Sequence, residues 1–99
     1  MYETMDELEA SVQRKLYRIR DLVDDMGAVK VRETSPDGSI TAEVDGNGAL
    51  LNLEFSQEIS RLSPEDFEAT LTATARAAAA AAFARRADIV TAFNEEVAE

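Results

Sequence analysis

The sequence predicts an α+β subunit in the order helix, three strands, helix, and three observations predict it. Apolar residues three or four apart run from Met5 to Met26; the spacing falls to two between Val29 and Phe55; and neither proline nor glycine interrupts the chain from Glu65 to Glu99. At 99 residues the chain is expected to form one domain, 1–99.

The first helix is expected at about 4–27. Met5, Leu8, Val12, Leu16 or its neighbour Lys15, Ile19, Val23 and Met26 make one narrow apolar seam, the pattern of a helix that packs along another helix. Glu3, Asp6 and Glu7 complement the macrodipole at its start, and Gly27 offers a stop.

Three strands follow, at about 28–35, 39–45 and 48–56. Val29 and Val31, then Ile40, Ala42 and Val44, then Leu51, Leu53 and Phe55 alternate with polar neighbours, as in a sheet with one buried face. SPDGS separates the first two strands and DGNG the second and third, so the sheet is an antiparallel meander. As a cation loop DGNG fails, because Ala49 and Ser56 stand where further oxygen ligands belong. As a phosphate cradle it lacks a lysine and a following helix. It is read as a turn.

Ser63, Pro64, Glu65 and Asp66 supply the cap, first position and acidic first turn of the second helix, expected at about 64–97. The alanine run from Ala73 to Ala87 is structural, since alanine is the strongest helix former and allows close approach. The apolar line Phe67, Leu71, Ala75, Ala78 and Ala82 meets Arg85 and Arg86 before Ile89 and Phe93. The seam is therefore interrupted, and the last turns are expected to leave the body or meet a partner.

Composition limits the chemistry. With no cysteine and no histidine, no disulfide, zinc site of the usual kind, imidazole base or histidine-assisted nucleophile is available. The acidic pairs Asp24/Asp25, Glu65/Asp66 and Glu95/Glu96 are helix neighbours that do not face each other. No catalytic residue, metal ligand or cofactor is expected, and an enzyme is not the reading. The start of the chain lacks the apolar core of a signal peptide, and no run is apolar enough for a membrane span, so a cytoplasmic protein with no membrane partner is expected. Six aromatics and no tryptophan make a thin core, which favours a homo-oligomer.

A net charge of −10, spread along the chain, opposes nucleic acid unless local cations outweigh it. Arg14 and Arg18 lie one turn apart on the first helix with Lys15 and Arg20 beside them, and Arg85 and Arg86 lie on the second. Asp21, Asp24 and Asp88 neutralise part of this charge locally. A twofold dimer would double each cluster.

From SPDGSITAEVDGNGALLNLEFSQEI into SPEDFEATLTATARAAAAAA the chain resembles the YbaB/EbfC family of small bacterial nucleoid-associated proteins, with an actinobacterial cast in its alanine, aspartate and arginine content. The likeness covers nearly the whole chain and rests on strand and hairpin pattern rather than on invariant letters. It implies a homodimer with a body of sheets and projecting helices, located in the cytoplasm at the nucleoid. It also implies DNA binding of low sequence specificity, for which Arg14, Lys15, Arg18, Arg85 and Arg86 are the candidates. The dimer interface is expected at Leu51, Leu53, Phe55, Ala78 and Ala82. The alternative is an acidic protein-interaction adaptor that keeps the fold and has lost DNA binding.

Overall fold

A computed structural model describes residues 4–97. The elements run α1 (Met5–Gly27), β1 (Lys30–Thr34), β2 (Ile40–Asp45), β3 (Leu50–Phe55), a 3₁₀ turn (Gln57–Arg61) and α2 (Pro64–Val97). The strands form one antiparallel sheet in the order β1-β2-β3, which makes the protein α+β. The 3₁₀ turn lies in the connector before α2 and had no apolar period to announce it.

Both helices start on oxygen caps. Thr4 Oγ1 accepts from the Glu7 N–H at 3.1 Å, and Ser63 Oγ from the Asp66 N–H at 3.1 Å. Both hairpins are built alike: Gly38 donates to Ser35 O at 2.9 Å and Gly48 to Asp45 O at 3.0 Å, each glycine at positive φ, 74° and 79°. In the second turn Asp45 Oδ1 accepts from the N–H groups of Asn47 and Ala49, at 2.8 and 3.0 Å. The Asp45 carboxylate thus holds its own turn.

Asp37 does the same for the first turn. Its Oδ1 accepts from Ser35 Oγ at 2.6 Å, Ser39 Oγ at 2.7 Å and the Ser39 N–H at 3.0 Å. These bonds, led by Ser35, hold the carboxyl down to about 2 from an ordinary 3.8. A group whose folded pKa is depressed adds stability above its unfolded pKa and loses it as pH falls through the folded one. Wild type is therefore expected to exceed Asp37→Asn in urea midpoint at pH 5, with the difference vanishing as pH falls from 3.8 towards 2. A difference that stays constant across that window would contradict the assignment.

The core lies between the sheet and α2. Val29, Ala42 and Val44 meet Ala78 and Ala82, with Val31, Leu53 and Ile89 packed at the margin. Ile40, fully buried on the same face of β2, pairs with Phe55, whose ring sits 5.6 Å from that of Phe67. The other face of the sheet is wet. There Arg32 reaches Glu54 at 2.6 Å and Glu43 at 3.4 Å, and the Thr34 and Thr41 hydroxyls meet at 2.8 Å. Strand β3 departs from strict alternation: Val44 faces Leu50 while Glu43 faces Asn52, so Leu51 is the extra residue of a bulge.

The molecule measures 70 × 18 × 15 Å, and its radius of gyration is 20.3 Å. A compact chain of this length has roughly 13 Å. The excess comes from an arm, in which α1 runs back along the C-terminal half of α2.

Candidate nucleic-acid interface

The arm forms because α1 and α2 meet on a strip that is mostly not the α1 seam. Ser11 is buried, Leu22 is half-buried beside Ile89 and Phe93, and Arg18 pairs with Glu96 across the helices. These residues lie about 100° round α1 from the seam. Leu8, Val12, Leu16, Ile19 and Val23 are accordingly exposed, Val23 to 63%. The 3–4 spacing marks a helix that packs along another helix; in this protomer that seam has no helix on it.

The five basic candidates occupy three different settings. Arg14 and Lys15 are exposed on the outer half of the arm. Arg18, about half exposed, is paired with Glu96 in a groove that Asp21, Asp24 and Asp25 also line. Arg85 is exposed at the inner end of the arm, beside Asp25, Val29 and Ile89. From Asp25 to Arg14 is about 16 Å of helix, so Arg85 and Arg14 make no single patch within one protomer. The convergence of Glu96 on the three aspartates was out of reach of local spacing, because Glu96 arrives from the other end of the chain.

Arg86 is part of the fold. Its half-buried guanidinium donates from Nη1 to Gly46 O at 3.1 Å and to Asn47 Oδ1 at 3.0 Å, tying the second hairpin turn to α2. The turn comes close enough because it is glycine there. A Cβ at Gly46 would stand 3.1 Å from Met26 O and 3.2 Å from Arg86 Cδ, and one at Gly48 would stand 2.9 Å from Phe83 Cζ. The arginine that interrupts the apolar line of α2 thus carries that line past the sheet and onto the arm.

The residues expected at the dimer interface also divide. Ala78 and Ala82 are fully buried in the protomer's own core, because their small side chains let α2 settle on β2; neither is a surface residue. Leu53 is half-buried against the same core, whereas Leu51 and Phe55 are exposed on the edge strand β3. Beside Arg14 and Lys15, Arg20 lies over the Tyr17 ring at 5.8 Å, a cation–π pair that the i, i+3 spacing allows.

Among the described residues no group of histidine, cysteine, aspartate or glutamate is placed to hold a metal ion, and no helix is long and apolar enough to cross a membrane. Among curated proteins no sequence matches. A crystal structure of an uncharacterized protein from Helicobacter pylori superposes with a TM-score of 0.64 at 13% identity, covering 91% of this chain and 96% of that one. At that identity the likeness speaks for the fold. The family model described as the YbaB/EbfC DNA-binding family matches residues 1–97, and with its helix, meander and long helix the chain belongs to that family.

Proposed function

We propose that the protein is a nucleoid-associated homodimer, in the cytoplasm with the chromosome, that binds DNA with low sequence specificity. The observation that carries this reading is the family match over residues 1–97. The arm supports it by holding Arg14 and Lys15 in solvent away from the body. Lysine and arginine contacts to phosphate position a protein on DNA without reading bases, so such an arm binds with little regard to sequence. A twofold pair presents the cluster twice. With a net charge of −10 the contact is local, and salt weakens it steeply.

In gel shifts with random duplex DNA, affinity is expected to fall as salt rises. Arg14→Ala with Lys15→Ala should lower it at least tenfold at low salt and flatten the slope of log K against log salt by about 0.9 for each phosphate no longer neutralised. Arg86→Ala serves as the contrast: it unpairs Gly46 O and Asn47 Oδ1 and is expected to lower the melting temperature. The absence of any shift at low salt with micromolar protein would sink the DNA reading. The acidic groove of Asp21, Asp24, Asp25 and Glu96 would then favour the adaptor, a protein-binding module on the same fold.

A further inference from the structure

We propose that Tyr17 is a stacking platform for an unpaired base, so that α1 holds single-stranded DNA by a contact that duplex DNA does not offer. This inference rests on the DNA reading of the proposed function and names the form of DNA that this side of the helix takes. Tyr17 is 59% exposed. It lies at least about 100° round α1 from Ser11, Arg18 and Leu22, which pack towards α2, and from every residue of the apolar seam. The ring therefore stands on the third side of the helix, in solvent. With that much of its surface open it adds little to the core.

Two arginines flank the ring. Arg14 and Arg20 stand three residues to either side, each about 60° round the helix and about 4.5 Å along it, and the Arg20 guanidinium lies over the ring at 5.8 Å. Among the described residues neither makes an ion pair, whereas Arg18, Arg32 and Arg61 each hold a glutamate. Their charge is thus left for an outside anion. Cations for the backbone beside an aromatic ring for the base are the means by which proteins hold single strands, and the contact tolerates any sequence because every base has a π-face. Inside a duplex those faces are covered by neighbouring bases, so Tyr17 has nothing to stack on. Asp21 and Asp24 follow Arg20, and Glu9 lies about 12 Å before Tyr17. These acids confine the contact to about one nucleotide and the phosphates on either side of it.

The test compares a short thymidine oligomer with random duplex DNA at low salt, by fluorescence anisotropy. Tyr17→Ala is expected to weaken the oligomer about tenfold, to leave the duplex within about twofold, and to keep the salt slope, since it removes no charge. Tyr17→Phe should bind the oligomer as wild type does, because the ring and not the hydroxyl makes the contact. Arg14→Ala should flatten the single-strand slope of log K against log salt by about 0.7. The chain has two tyrosines and no tryptophan, so Tyr2→Phe leaves Tyr17 as the only fluorophore of its kind. Its emission, corrected for absorbance, is expected to fall by about half with the oligomer and to stay level with an abasic phosphodiester of the same length. Unquenched emission, an equal loss on oligomer and duplex in Tyr17→Ala, or a loss in Tyr17→Phe as large as in Tyr17→Ala overturns the stacking role. A uridine oligomer held tenfold more tightly than the thymidine one overturns the choice of DNA. If wild type binds the duplex and not the oligomer, the inference fails and the DNA reading stands; if it binds neither, both fail together.

Discussion

Truncating Ile40 to alanine lowers the unfolding free energy by about 2–5 kcal/mol, the range for deleting a large aliphatic side chain from a closed core. Among the described residues Ile40 is the largest side chain that is fully buried, and it lies on the central strand. The rest of the fully buried apolar core is small: Ala42, Ala78 and Ala82 beside Val44. Domains commonly hold only about 5–15 kcal/mol in all, so this loss takes a large share of the total. Urea denaturation of wild type and variant at one fixed protomer concentration measures it. A loss below about 1 kcal/mol would mean that the site collapses or opens to water, against the burial observed.

Ala78→Leu is expected to destabilise the protein by the opposite route. Ala78 is fully buried in the cluster with Ala42 and Val44, where α2 comes down on the sheet. Added side-chain carbons there force the helix off the sheet or push neighbours out of their rotamers, at about 1–3 kcal/mol and sometimes more. Ala77→Leu, one residue earlier on the exposed side of the same helix, should change stability by no more than about 0.5 kcal/mol. Leucine and alanine are both good helix formers, so the contrast isolates packing. If the two substitutions had equal effects, the alanine run would be serving only helix propensity at both positions.

That contrast also marks how far the sequence could be read. Spacing of three and four, then of two, is local information, and it located the helices and strands because backbone geometry imposes those periods. Turn chemistry is local too: Gly38 and Gly48 adopt the positive φ for which glycine is suited. The phase of the α1 seam was visible, but what covers it depends on where α2 ends up. Burial of Ser11 and half-burial of Leu22, with Leu16 57% exposed, is a tertiary result that no window along α1 contains. The candidate site divides the same way. Arg14 and Lys15 stand in solvent as a polar helix face should; Arg18 and Arg86 were taken up by Glu96, Gly46 and Asn47, partners far away in the chain. Ala78 and Ala82 carried the signal of close approach, yet small side chains admit a sheet and a second helix equally well.

The crowded turn at Gly46 has a mechanical consequence. Three parts of the chain meet there: the carbonyl of Met26 at the end of α1, the Arg86 side chain on α2, and Val29 leading into β1. The turn is thus the fulcrum of a lever whose longer limb is α1, about 33 Å from Gly27 to Met5. A tilt of only 5° at the fulcrum swings the far end of that limb by about 3 Å, close to the width of a hydrogen bond. The distance of Arg14 and Lys15 from the body is therefore set at a glycine on a hairpin turn that neither residue adjoins in sequence.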